Sequence, residues 1–245
     1  MVKRSKVWFL LIFYFCLVAN VWAVSLEEAQ QDYLLGNYEE AIVKARRLHE
    51  NDETLYFLGL AYTKTADYER ARAYLDKLID RFPGSDFRNL AMMKLADTYF
   101  LQKDYDKAKE LYQIIESKCL KLENPSLLFL RLAQIASRRG EWEDKGKYLE
   151  LIKKKYPNSP EMYFVKTLEE YGDFFTIQVG AFSQKKNAVL LKDEVTCESK
   201  AYIVEGKSGA YPIYKVRVGK FKKRYDADKV AQDLRSQGYP ASIYP

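Results

Sequence analysis

Apolar residues in the first two thirds of the chain recur at helical intervals. Leu55, Leu58, Gly59 and Tyr62 stand at i, i+3, i+4 and i+7, and Met92, Leu95, Ala96 and Tyr99 repeat the spacing. Each stripe is followed by a second one, such as Leu75, Leu78 and Ile79. Between the two stripes lies a short polar segment, and four of these share a pattern: Gly36-Asn37-Tyr38-Glu39-Glu40-Ala41, Ala66-Asp67-Tyr68-Glu69-Arg70-Ala71, Lys103-Asp104-Tyr105-Asp106-Lys107-Ala108 and Gly140-Glu141-Trp142-Glu143-Asp144-Lys145. Their last residues are 30, 37 and 37 positions apart, close to a helix–turn–helix unit of about 34 residues. Phe82-Pro83 and Tyr156-Pro157 close two of the second helices, because proline cannot continue a helix interior.

The residue types follow from packing. Two antiparallel helices that cross closely need a small side chain at the crossing, which Gly59 and Ala96 supply opposite Ala71 and Ala108. The aromatic three residues before the alanine fills the gap at the start of the second helix. The fourth segment departs, with Lys145 where a small residue belongs, so its helices are expected to splay or to act as a cap. Residues Pro160 to Tyr171 read as a final capping helix, since a stack of repeats must cover its last apolar face.

After Gly172 the period changes from 3.6 to 2. Phe174 to Phe182 alternates, Gln184 to Cys197 is helical, Ala201 to Glu205 is a short strand, and Gly206 to Gly209 is a turn. Tyr211 to Val218 alternates strictly. Arg224 to Gln237 is helical, with Gly238 as its C-cap, and Pro240 to Tyr244 is a last strand. The order is βαββαβ, and it contains a duplication. Ile177-Gln178-Val179-Gly180-Ala181-Phe182 is echoed by Val216-Arg217-Val218-Gly219-Lys220-Phe221, and Gly180 and Gly219 each precede a helix alanine, Ala188 or Ala227, by eight residues. Two such halves interleave into an antiparallel sheet with the first and third strands central and both helices on one face. Side chains alternate across a strand. Phe175, Ile177, Val179, Tyr214, Val216 and Val218 therefore face the helices. The opposite face shows Phe174, Thr176 and Gln178 beside Tyr211, Ile213, Lys215 and Arg217. Flat apolar groups mixed with amide and guanidinium donors suit an extended polymer: apolar groups cover sugar C–H faces while Gln and Arg bond hydroxyls and carbonyls.

Residues 24–160 resemble the tetratricopeptide repeat, most completely through Leu58-Gly59-Leu60-Ala61-Tyr62 with Tyr68, Ala71 and Pro83. Residues 174–245 resemble the SPOR domain, a sporulation-related repeat. That likeness rests on Phe175-Thr176-Ile177-Gln178-Val179-Gly180-Ala181-Phe182, on Tyr214-Lys215-Val216-Arg217-Val218-Gly219 with Phe221, and on Ala227. Together they imply a multidomain chain: an all-α repeat solenoid followed by an α+β domain of ferredoxin-like or RNP-like βαββαβ order. The SPOR resemblance implies binding to peptidoglycan glycan strands stripped of stem peptides, through Phe174, Thr176, Gln178, Ala181, Tyr211, Ile213, Lys215 and Arg217. Gln178 matches the family glutamine. Ala181 stands where serine is common, Ile213 where an aromatic is frequent and Lys215 where arginine is frequent, which implies weaker affinity or an altered glycan preference. The repeats imply a protein or peptide partner in their groove.

Charge adds a third segment. Residues 1–23 hold Lys3, Arg4 and Lys6 and no acid, residues 24–172 hold 24 basic and 26 acidic residues, and residues 173–245 hold 13 basic and 8 acidic. The basic start, the uncharged run Val7 to Val18 and Val21-Trp22-Ala23 read as an export signal cleaved after Ala23. The competing reading retains it as an inner-membrane anchor, the one case in which the chain is expected to touch a membrane. The expected division is 1–23 signal peptide, 24–172 repeats with capping helix, and 173–245 SPOR domain, in the periplasm or cell envelope. Cys16 goes with the signal. Cys119 and Cys197 are either two thiols or one bridge.

No catalytic class fits. His49 is the only histidine, and the chain lacks a metal-spaced Cys/His cluster, a Gly-rich phosphate loop and a Gly-x-Ser-x-Gly elbow. No enzyme activity, metal or cofactor is expected. Two other classes compete: a protein–protein adaptor whose last domain is a passive anchor, and an RNA-binding module of the same βαββαβ order. The export signal and the lack of adjacent aromatics on the central strands argue against nucleic acid.

Overall fold

The computed structural model describes residues 25–118, 121–122, 124–195, 197 and 199–245. The export signal, Cys16 and Cys119 lie outside these residues. The chain divides into two compact units between Leu122 and Glu123.

The first unit carries helices α1 (Leu26–Leu35), α2 (Tyr38–Ala45), α3 (Asp52–Lys64), α4 (Tyr68–Arg81), α5 (Arg88–Leu101) and α6 (Tyr105–Ser117) in consecutive antiparallel pairs. The shared polar segments are the turns within the pairs. Their first residues, Gly36, Ala66 and Lys103, all take a left-handed conformation, with φ of 86°, 59° and 67°. The chain reverses there, at a cost that glycine avoids. Asp67 and Asp104, one position later, cap the following helix by accepting from Arg70 N (3.1 Å) and Lys107 N (3.2 Å). Ala41, Ala71 and Ala108 are fully buried at the crossings. A Cβ on Gly59 would lie 2.5 Å from Leu75 Cδ2, so the helices approach there over a leucine of α4 rather than over Ala71. The aromatics that open the second helices pack back on the first: Tyr38 on Tyr33 and Tyr105 on Phe100, with ring centroids 5.2 and 5.7 Å apart.

The second unit opens with α7 (Pro125–Arg139), α8 (Trp142–Lys155) and α9 (Met162–Glu170). Helices α7 and α8 form the fourth repeat pair, with Gly140 again left-handed at its turn (φ 74°). The capping helix α9 is tied to the start of α7 by the buried Glu161, which accepts from Asn124 Nδ2 (2.8 Å) and Ser126 Oγ (2.7 Å). Then follow β1 (Phe175–Phe182), α10 (Lys185–Glu194), β2 (Ala201–Ser208), β3 (Tyr211–Phe221), α11 (Arg224–Ser236) and β4 (Ser242–Tyr244). The sheet order is β2-β3-β1-β4, antiparallel throughout. Ile177, Val179, Val216 and Val218 pack with Ala188, Ala231 and Leu234 from the two helices.

The structure corrects two details of the strand reading. Gly206 to Ser208 are not a turn: they extend β2 and pair with Tyr211 to Ile213. The reversal is confined to Gly209 and Ala210, with Gly209 left-handed at φ 63°, as a two-residue hairpin requires. Tyr211 to Val218 pairs regularly with β2, but the alternation of Phe174 to Phe182 is interrupted. The β1–β3 register slips between Phe175 and Ile177 and again between Gln178 and Gly180. The second slip is a bulge in β1. It turns Gly180 toward α10, where a Cβ would lie 2.5 Å from Leu191 Cδ2, and turns Ala181 to the helix-free face.

Candidate functional site

Register places the sequence-nominated residues together on the helix-free face. Gln178 pairs with Arg217 on the central strands; Tyr202 of β2 continues the row beyond Arg217, and Ser242 of β4 beyond Gln178. A second row runs Val204, Lys215, Ala181. Ile213 pairs with Gly206 and Tyr211 with Ser208 toward the hairpin end. Tyr211, Ala181 and Ser242 are exposed, while Gln178, Ile213 and Lys215 are half-buried.

Two nominated residues are more enclosed than an open face would make them. Thr176 is fully buried, and its hydroxyl lies 2.8 Å from the Tyr202 hydroxyl and donates to Val218 O at 3.3 Å. Arg217 is only 6% exposed. Its guanidinium carbon stands 5.7 Å from the Tyr171 ring and 5.6 Å from the Tyr244 ring, within cation–π range of both. Its Nε is buried without a hydrogen-bond partner. Phe174 packs back on Gly172, and Lys220 Nζ lies 4.7 Å from the Phe174 ring and 5.6 Å from the Tyr202 ring. The patch is therefore a row of polar groups bordered by four aromatic rings with two cations among them.

Three of those aromatics escaped sequence reasoning. Tyr202 lies on an edge strand in register with Arg217 and Tyr244 on the other edge in register with Thr176, and alternation along Ala201 to Glu205 and Pro240 to Tyr244 would have placed both on this face. Tyr171 follows the last residue of α9, and no strand pattern reaches it.

Helix α8 reaches the same region. Lys145, 2% exposed, donates from Nζ to Gly172 O (2.8 Å) and to the Asp173 carboxylate (2.9 Å). Trp142 Nε1 donates to Lys222 O (3.0 Å), and its ring packs on Phe175 with centroids 5.1 Å apart. The fourth pair thus neither splays nor ends freely; the odd lysine binds the start of the sheet.

In the first unit a pocket of about 400 Å³ is lined by Arg46, Glu50, Tyr62, Arg70, Tyr74 and Lys77. The Tyr62 and Tyr74 rings stack at 5.5 Å, and Lys77 and Arg81 hold Glu50 below its ordinary carboxylate value. Among the described residues no group of His, Cys, Asp and Glu is placed to hold a metal, and no helix is long and apolar enough to cross a membrane. The Cys197 thiol is free.

Comparison with known proteins agrees with this architecture. A tetratricopeptide-repeat profile matches residues 26–86 and 56–118, a second one matches residues 128–159, and the SPOR-domain profile matches residues 171–245. The chain carries tetratricopeptide repeats in its N-terminal part and a SPOR domain at its C-terminal end. SPOR domains are a peptidoglycan-binding family and tetratricopeptide repeats are protein-interaction modules; neither is typically catalytic. No curated protein matches the chain. Among solved structures it is similar to PilW, described as a type IV pilus biogenesis factor, with 18% identity over 58% of this chain and 68% of that one and a TM-score of 0.50. It is also similar to pilF of Pseudomonas aeruginosa, with 16% identity over 58% of this chain and a TM-score of 0.44. The match spans 64% of the pilF chain, and the likeness to PilW shows the repeat fold alone.

Proposed function

We propose that this chain is a non-enzymatic protein of the bacterial cell envelope whose SPOR domain binds peptidoglycan glycan strands, preferentially those stripped of stem peptides, while its repeats hold a protein partner in division or wall remodelling. The observation that carries the first part is the Gln178–Arg217 pair, side by side on the helix-free face and bordered by exposed aromatic surface. A sugar polymer needs that combination: ring faces lie on aromatic or aliphatic groups, the Gln178 amide bonds hydroxyl and acetamido oxygens, and the buried Arg217 holds the neighbouring rings. The two nearby cations, Lys215 and Lys220, add local positive potential but no long basic track of the kind nucleic acid requires. For the repeats, the pocket beside the stacked Tyr62 and Tyr74 rings is lined by Arg46, Arg70 and the Lys77–Glu50 pair, a surface suited to an acidic or aromatic side chain of a partner.

Co-sedimentation of the full chain with purified sacculi, before and after amidase treatment, tests the glycan reading. Binding is expected to rise as peptides are removed and to fall only mildly between low and physiological salt. Equal capture of RNA, or a steep salt loss, would point to a phosphate backbone instead. Export is tested separately. The mature protein recovered from the envelope should begin at Val24, and an intact N-terminus in the membrane fraction would support the anchor.

A further inference from the structure

The segment that joins the last repeat helix to the sheet is held from several sides. Lys145 Nζ binds Gly172 O and the Asp173 carboxylate, and Lys222 Nζ donates to Asp173 O at 2.8 Å. The carbonyl of Lys222 in turn receives the Trp142 indole N–H. Gly172, at φ 75°, ends α9 and turns the chain into the sheet. A residue with a Cβ is strained in that conformation, and its Cβ would also lie 2.7 Å from the Phe174 ring. These contacts fix the position of Tyr171 immediately before the turn.

Tyr171 stands with Tyr244 around Arg217, although the two tyrosines come from opposite ends of the SPOR region. Tyr171 and Tyr244 are each 41% exposed, while Arg217, whose guanidinium lies within cation–π distance of both rings, is 6% exposed. Burial of the cation with an unpartnered Nε is costly in itself. What this buys is orientation: a buried cation attracts both ring faces and leaves their outer surface to solvent. Rigid, amphipathic tyrosine rings presented in this way are contact surface at low entropic cost.

We propose that Tyr171 is a wall of the ligand site: with Tyr244 it makes a two-ring platform for the apolar face of one sugar ring, and Arg217 orients the pair. The site is then completed by the repeat region, since α9 delivers Tyr171 and the Lys145 contact holds it. This rests on the glycan reading above and assigns it a residue outside the strands.

Binding of the full chain to amidase-treated sacculi should be compared for wild type, Tyr171→Ala, Tyr171→Phe and Tyr163→Ala, the last an exposed tyrosine of the same helix. Tyr171→Ala is expected to weaken binding roughly threefold to tenfold, the value of one ring contact. Tyr171→Phe and Tyr163→Ala are expected to bind as wild type. In the wild-type chain, glycan should also slow nitration of Tyr171 by tetranitromethane, a readout that needs no variant to fold. Unchanged or tighter binding by Tyr171→Ala, equal loss in the Phe variant, or no protection from nitration overturns the proposal while leaving the glycan reading in place. A wild-type chain that ignores sacculi overturns both.

Discussion

Ala108 and Lys145 occupy the same place in two consecutive repeats, 37 residues apart. In the first unit Ala108 is fully buried where α5 and α6 cross, as are its counterparts Ala41 and Ala71. In the second unit Lys145 is buried almost as deeply, but its ammonium leaves the crossing to bond Gly172 O and Asp173. The helix pair tolerates the long side chain because the next element lies against it. One repeat position thus closes a helix crossing inside the stack and fastens the next fold at its end. The Trp142 contacts with Phe175 and Lys222 belong to the same junction, and compactness groups the fourth pair with the sheet rather than with the first three.

Exchanging the two roles gives the largest expected effect. Ala108→Lys forces a long charged side chain into a crossing whose buried carboxylate, Asp97, already accepts from the Tyr112 hydroxyl at 2.7 Å. An uncompensated buried charge costs about 3–5 kcal/mol, so the midpoint of denaturant unfolding of the full chain should fall sharply. A loss below about 1 kcal/mol would mean that the side chain escapes to solvent and that the alanine is not required for close approach. The reverse change, Lys145→Met, keeps the volume and removes the donors. Hydrogen bonds from a charged group are worth about 1.5–3 kcal/mol, so a smaller loss is expected, and it should be accompanied by weaker glycan binding. Unchanged stability in that variant would reduce the junction to coincidental contact.

Acid gives the smallest effect, and in the second unit Glu161 carries it. Burial pushes the Glu161 carboxyl up, but its hydrogen bonds from Ser126 and Asn124 outweigh this and hold it below its ordinary value. A depressed folded value means that the carboxylate stabilises the fold fully above the unfolded value, and that this is lost as pH falls through the folded one. Stability of α9 against α7 should therefore be flat near neutrality and decline only in the acid range, and Glu161→Gln should flatten that decline. Hydrogen exchange of α9 amides against pH checks it.

Most of this organisation was legible in the sequence where a feature repeats. The four polar segments announced the helix pairs because each reverses the chain in the same left-handed turn before the second helix. The echo of Gly180 by Gly219 announced a sheet built from two like halves. The misses occur where one element answers another far along the chain. Lys145 looked like a defect because its partners, Gly172 and Asp173, lie beyond the repeat. Gly206 looked like a turn because glycine is a turn signal, whereas here pairing with Ile213 keeps it in the strand. Burial of Arg217 depends on Tyr171 and Tyr244, neither of which its own strand contains. Ala181 reaches the helix-free face only through a bulge, which alternation alone does not reveal.

If the helix-free face holds the glycan, the double variant Gln178→Glu with Ile213→Lys should lose it. Arg217 is unsuited because it is buried, whereas both chosen side chains are only partly enclosed and leave the core of Ile177, Val179, Val216 and Val218 untouched. Each hydrogen bond of this kind is worth about 0.5–1.5 kcal/mol. With the loss of the apolar Ile213 surface, the affinity of the full chain for amidase-treated sacculi should fall about tenfold or more while its circular dichroism is unchanged. Wild-type affinity in the folded double variant would contradict the assignment of this face.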